Sequence, residues 1–138
     1  MKTLLIILSL YSVGYTINWE KEYPIIEKAA LRNNCEGDDF LILLAIRLAE
    51  RGGEGKEFGI VHPKAWGTNL DTQAGWAACT VVKNRKRYES QVRSGTTCDF
   101  ITFLGNRYCP IGAANDPKGL NRNWGKNVTY FYNKLKSE

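Results

Sequence analysis

The sequence predicts a mainly α chain of α+β type, with helices packed around a central buried helix and one small irregular hairpin region. Three observations lead there. Residues Phe40 to Leu48 are apolar except for Arg47; Trp124, Val128, Phe131 and Leu135 repeat at helical spacing; and the stretch from 57 to 70 mixes apolar pairs with Gly and Pro. With 138 residues, 43% hydrophobic and 24% charged, the chain can fill one core, which excludes a disordered polymer and a collagen-like repeat. Its formal net charge of +5 favours an anionic partner without choosing among wall polymers, membrane surfaces and nucleic acids.

Taken in order, residues 1–16 carry Lys2 and then an apolar run, the build of a secretory signal peptide. The run is shorter than the roughly 20 residues a bilayer span takes, so an exported protein, periplasmic or extracellular, without stable membrane insertion is expected. A buried N-terminal element or an uncleaved anchor are the alternatives. Residues 17–138 then form one domain. Pro24 suits the first turn of a helix through Ile25, Ile26, Ala29, Ala30 and Leu31 that ends at Asn33-Asn34. Asp38 or Asp39 caps a second helix, Phe40 to Glu50, which Gly52-Gly53 ends. This is the central helix, apolar on nearly every side.

Residues 57–70 read as an irregular hairpin or small sheet. Thr72 caps a third helix that turns Trp76, Ala77, Cys79, Thr80 and Val81 inward and becomes basic at Lys83, Arg85, Lys86 and Arg87. Thr97 caps a fourth, with Phe100, Ile101, Phe103 and Leu104, closed by Pro110. A long loop, 111–123, leads to the last helix; loops of that length in small domains often carry function.

Cys35, Cys79, Cys98 and Cys109 all follow the export segment. An even count in an exported chain predicts two disulfides, in any of three pairings. There is no Cys-x-x-Cys, and His62 is the only histidine, so no metal is expected. His62, beside Pro63, reads as a surface loop residue. The basic run 83–87 reads as the solvated end of a helix, so nucleic acid is not an expected partner.

Glu50 is the strongest candidate for chemistry. A carboxylate at the C-terminal end of an apolar helix meets partial desolvation and the helix's negative pole, both of which disfavour its charged form and move it toward the range of a general acid. The plainer reading is a solvated Glu paired with Arg47 or Arg51.

The run Leu44-Ala45-Ile46-Arg47-Leu48-Ala49-Glu50-Arg51-Gly52-Gly53 resembles the lysozyme-like superfamily, in particular goose-type lysozymes and soluble lytic transglycosylases, whose catalytic Glu ends the central helix in a Glu-Ser-Gly-Gly-like motif. Arg51 stands where that motif has a small residue. The run Ala45 to Gly59, together with 69–87 and 99–132, including Gly112-Ala113-Ala114-Asn115-Asp116-Pro117 and Asn121-Arg122-Asn123-Trp124, is similar to small phage-encoded lysozyme-like proteins over most of the domain.

The resemblance implies cleavage of the β-1,4 bond between N-acetylmuramic acid and N-acetylglucosamine in peptidoglycan, by a muramidase or lytic transglycosylase acting as a monomer without cofactor. Glu50 is the implied acid, and Glu57 and Asp71 are the candidates for a second carboxylate. Trp66, Tyr108, Asn115, Asn121 and Trp124 are the candidates for sugar contacts, since such sites combine flat apolar faces with polar rims. The alternative is a non-catalytic phage virion or wall-binding protein of the same fold.

Overall fold

A computed structural model describes residues 17–137; the export segment expected at 1–16 lies outside them. The described chain forms five helices, α1 (Trp19–Arg32), α2 (Asp38–Glu50), α3 (Leu70–Arg93), α4 (Phe100–Tyr108) and α5 (Arg122–Lys136). The class is mainly helical, and there is no strand among the described residues. No helix among them is long and apolar enough to cross a membrane.

The axis is α2. Ile42 to Leu48 are buried without a break, because a helix apolar on all sides can be satisfied only inside a bundle. Against it α5 packs most extensively, with Trp124, Val128, Phe131 and Leu135 as its buried stripe. On α3 lies α1, where Ala29 and Ala30 of α1 and Ala74, Ala77 and Ala78 of α3 are buried. Such small side chains let two helix backbones approach closely. The short α4 touches both α3 and α5.

Arg47 is the one charge inside the buried stretch of α2. Its Nε and Nη2 donate to the Glu22 carboxylate of α1 at 2.8 and 3.3 Å, and its Nη1 to the carbonyls of Gly52 and Glu57 at 2.9 and 3.2 Å. A buried pair of this kind gains little over an apolar replacement, but it holds α1, α2 and the chain leaving α2 in one arrangement.

The helix starts differ from the expected ones for reasons of capping. Asn18 caps α1 by accepting from the Lys21 amide, so Pro24 lies inside the helix and not in its first turn. The lost backbone bond is tolerated in a segment fixed by buried Trp19 and by the Glu22–Arg47 pair. Asp38 and Asp39 fall in the first turn of α2, after Gly37, where they bind Arg85 of α3. Asn69, not Thr72, caps α3, accepting from the Thr72 amide at 2.8 Å; Asp99, not Thr97, caps α4, accepting from the Thr102 amide at 2.7 Å. On α3 the buried face is Gln73, Ala74, Ala77, Ala78, Val81 and Asn84. Trp76, Cys79 and Thr80, expected inside, are partly exposed along a groove beside α1.

The expected hairpin does not form. Gly55, Gly59 and Gly67 adopt positive φ and Pro63 lacks an N–H, which breaks any extended ladder into turns. Four of the backbone groups a partner strand would have served are met by one side chain, the fully buried Gln73 of α3. Its Oε1 accepts from the amides of Phe58 and Ile60, both at 3.2 Å, and its Nε2 donates to the carbonyls of Ile60 and Ala65 at 2.9 and 3.0 Å. Every donor and acceptor position of the amide is thereby used.

The two expected disulfides are absent as well; all four cysteines are free thiols. Burial and the charges of Asp39 and Glu36 push the Cys35 thiol up to about 12. Burial and the charges of Glu50 and Asp116 push Cys109 up to about 11. Thiols held protonated in this way are poor partners for disulfide exchange. His62 is exposed, as expected, and stacks on Trp76 with ring centroids 4.3 Å apart.

Replacing Gln73 with Leu should strand the Phe58 and Ile60 amides at a cost of about 3 kcal/mol, taking 1–3 kcal/mol for each buried group left without its partner. Urea unfolding measures the loss, and hydrogen exchange should show residues 57–66 opening before the helices.

Candidate active site

Glu50 is the last residue of α2, and the chain reverses directly after it. Arg51 takes the left-handed conformation, with φ +54°. At Gly52 there is no room for a side chain, since a Cβ would lie 1.8 Å from the Lys56 carbonyl oxygen. The turns that follow bring Gly59 back onto the helix end. At φ +67°, Gly59 presents bare backbone to the Glu50 carboxylate, and a Cβ there would stand 2.6 Å from Oε2.

Two aromatic residues complete the surroundings. From α5, the Trp124 Nε1–H donates to Glu50 Oε1 at 2.9 Å. From α4, Tyr108 stacks on Trp124, with ring centroids 5.1 Å apart and planes at 27°, and its hydroxyl donates to the Phe58 carbonyl. Tyr108 therefore braces both the indole and the turn that carries Gly59.

The electrostatics follow from this packing. Burial raises the Glu50 carboxyl above the ordinary carboxylate range, and the Trp124 hydrogen bond offsets only part of that rise. Arg47, one turn earlier, is turned away to Glu22. The Tyr108 hydroxyl lies well above its usual value, through burial first and then the charges of Glu50 and Cys109, so it stays a hydrogen-bond donor.

Glu50, Tyr108 and Trp124 are thus brought together. The other candidates are placed elsewhere. Glu57 and Asp71 line a groove of about 720 Å³ beside α1 that Arg47 also lines. Asp71 forms a surface ion pair with Arg32 at 2.9 Å; Glu57 is buried, and its Oε1 has no hydrogen-bond partner. Neither carboxylate contacts Glu50 among the described residues. Trp66 is exposed on the 62–69 turns with the Lys56 ammonium 5.0 Å from its ring, and Asn115 is exposed in the loop before α5. Asn121 uses its side-chain amide on the Pro110 carbonyl at 2.8 Å, which makes it a brace of that loop.

Sequence reasoning missed Asp116. Its carboxylate accepts from the amides of Gly112, Leu120 and Asn121 at 3.1, 2.7 and 3.0 Å, gathering the loop onto the start of α5. Burial works to raise it, but these bonds together with Arg122 outweigh that and hold it below the ordinary range. The Asp-Pro-x-Gly run at 116–119 is a turn signal that points to such a residue.

Nothing matches this chain among protein-family models, curated proteins or solved structures.

Because burial raises the folded Glu50 carboxyl, the folded chain binds more protons than the unfolded one between the ordinary value and the raised one. Stability therefore falls as pH climbs through that window. Glu50→Gln should melt above the parent at pH 7, and the difference should vanish below the ordinary carboxylate range, where the group is neutral in both states. Thermal melts across pH check this.

Proposed function

We propose that the chain is a peptidoglycan glycosidase of the lysozyme-like kind, cleaving the β-1,4 bond between N-acetylmuramic acid and N-acetylglucosamine, with Glu50 as its general acid. The observation that carries the reading is the state of that carboxyl: raised by burial, only half buried, and held at one oxygen by the Trp124 indole. With Oε1 engaged as acceptor, Oε2 beside Gly59 is the oxygen left to hold the proton. Protonation of the glycosidic oxygen from Oε2 lets the C1–O bond break as positive charge develops on the muramyl ring.

The second half of the reaction follows from the surroundings of Glu50. Among the described residues Glu57 and Asp71 line the groove beside α1, and Asp116 is bound by three backbone amides. A single working carboxylate suits a route in which Glu50, now ionised, takes the proton of an attacking hydroxyl. Attack by the muramyl 6-hydroxyl gives an anhydro product, and attack by water gives a reducing sugar. A lysozyme-like arrangement of the helices and export through residues 1–16 belong to the same proposal.

The test is to incubate the chain and its Glu50→Gln variant with purified peptidoglycan and to identify the soluble fragments by mass spectrometry. Glu50→Gln should lose about 10²- to 10⁴-fold in rate, the usual contribution of a positioned acid. Glu57→Gln and Asp71→Asn should stay within a few fold of the parent. A principal product lighter by one water marks the anhydro route. A folded parent that releases nothing from several wall chemistries, yet sediments with the wall, identifies a binding protein instead.

A further inference from the structure

Glu57 is 5% exposed, its Oε1 has no hydrogen-bond partner, and no ion pair among the described residues includes it. Arg47, the cation nearest in the fold, donates to the Glu57 carbonyl and to the Glu22 carboxylate instead. A buried carboxylate without a donor is costly, and a native structure that retains one calls for a reason. A donor brought by a ligand is such a reason. Among the described residues no three His, Cys, Asp or Glu side chains converge as metal ligands, so the donor that suits Glu57 is an N–H group of an organic cation.

Glu57 lines the groove of about 720 Å³ beside α1, a size within the range of small-molecule sites, about 300–1,000 Å³. None of Gly59, Tyr108 and Trp124, which surround the Glu50 carboxylate, lines this groove. Its charges are sorted by element. On α1, Lys21, Ile25 and Lys28 follow at i, i+4 and i+7 on one face, and both lysines are exposed and outside every ion pair of the described chain. The turn after α2 contributes Glu54 and Glu57, whereas the remaining carboxylates, Glu22 and Asp71, are held by Arg47 and Arg32. Half-buried Ile25 and Leu70 supply aliphatic surface in the same groove.

We propose that this groove is a second ligand site, which takes an ω-amino carboxylate: an aliphatic stem whose ammonium binds Glu57 and whose carboxylate is received by Lys21 and Lys28. The inference stands on the groove's own residues and is independent of the glycosidase reading.

The test follows the backbone amide resonances of the chain by NMR while ε-aminocaproate is added, with caproate and hexylamine as probes that each lack one charge. Saturable shifts are expected at 21–28, 52–57 and 69–71, which frame the groove. Caproate, which offers Glu57 no donor, should bind at least about tenfold more weakly, equivalent to about 1.4 kcal/mol. Hexylamine should lose only a few fold, since exposed lysines are screened by solvent. Glu57→Gln should bring ε-aminocaproate down to the affinity of caproate without lowering the melting temperature, because it removes an unpaired charge and no partner. Lys21→Glu with Lys28→Glu should make hexylamine the tighter ligand, and this exposed pair decides the matter if Glu57→Gln does not fold. Glu50→Gln, outside the groove, should leave every affinity unchanged. Nα-acetyl-lysine, set against ε-aminocaproate, tells the carboxyl-terminal lysine of a polypeptide from a free amino acid as the source of this chemistry.

Caproate binding as tightly as ε-aminocaproate overturns the assignment, as does an affinity that survives Glu57→Gln or the absence of saturable shifts in the groove. Tighter binding after Lys21→Ala overturns it too, for the ammonium that Glu57 takes is then the chain's own. A chain that leaves peptidoglycan intact but binds ε-aminocaproate through Glu57 loses the glycosidase and keeps this site, and the reverse result loses this site alone.

Discussion

A short piece of irregular backbone, residues 57–60, buried at Glu57 and Phe58 and half-buried at Gly59 and Ile60, lies among helices without a strand to pair with, and the arrangement of the site depends on how that problem is solved. Buried peptide groups must find partners. Here side chains from three helices supply them: Arg47 of α2 binds the Glu57 carbonyl, Gln73 of α3 binds the amides of Phe58 and Ile60 and the Ile60 carbonyl, and Tyr108 of α4 binds the Phe58 carbonyl. Phe58, fully buried between them, adds the apolar anchor. The turn therefore has the fixed position of a strand without the geometry of one, and Gly59, which needs a left-handed conformation, can be held against Glu50.

The same contacts sort the charges. Arg47 lies one turn before Glu50 on α2, within the i−3 spacing that commonly forms an ion pair on an exposed helix. Its guanidinium is instead used up by Glu22 and by the carbonyls of Gly52 and Glu57. A cation that could have drawn the Glu50 carboxyl down is thereby committed to structure. Burial is left as the largest influence on that group, and the raised carboxyl follows from where the cation went as much as from where the acid sits.

How far the sequence discloses this differs by feature. Helices α2 and α5 are legible because an uninterrupted apolar run and a four-residue stripe each admit one periodicity, and the burial of Ile42–Leu48 and of Trp124, Val128, Phe131 and Leu135 follows from it. Helix starts are less legible, since Asn18, Asn69 and Asp99 compete with Pro24, Thr72 and Thr97, neighbours of equal local merit. The hairpin was the natural reading of 57–70, for pairs of apolar residues between turn formers look alike whether a strand or a side chain answers their amides. Gln73 gave no signal, because a glutamine in the first turn of a helix is ordinary until its position in space is known. Glu50 could be singled out by its place at the end of an apolar helix. That Trp124 would hold it could not, since helical spacing assigns the indole to the core without saying where its N–H is directed.

That indole connects the two halves of the glycosidase reading. Glu50 stands at the negative end of α2, which opposes its ionisation, and Trp124 lies in the first turn of α5, where the backbone dipole favours an anion. Burial raises the carboxyl above the ordinary range, which favours its protonated form relative to an exposed glutamate. In the proposed reaction Glu50 would become an anion as its proton passes to a glycosidic oxygen, and the Trp124 hydrogen bond would change from a neutral to a charge-assisted one, which is roughly twice as strong. The interaction is therefore worth more in the transition state than in the ground state, which is the condition for it to speed the reaction and not merely to position the acid. Tyr108, stacked on the indole and bonded to the Phe58 carbonyl, keeps the donor in place, so the brace that holds the turn against Glu50 also supports the donor that would stabilise its charge in the proposed reaction.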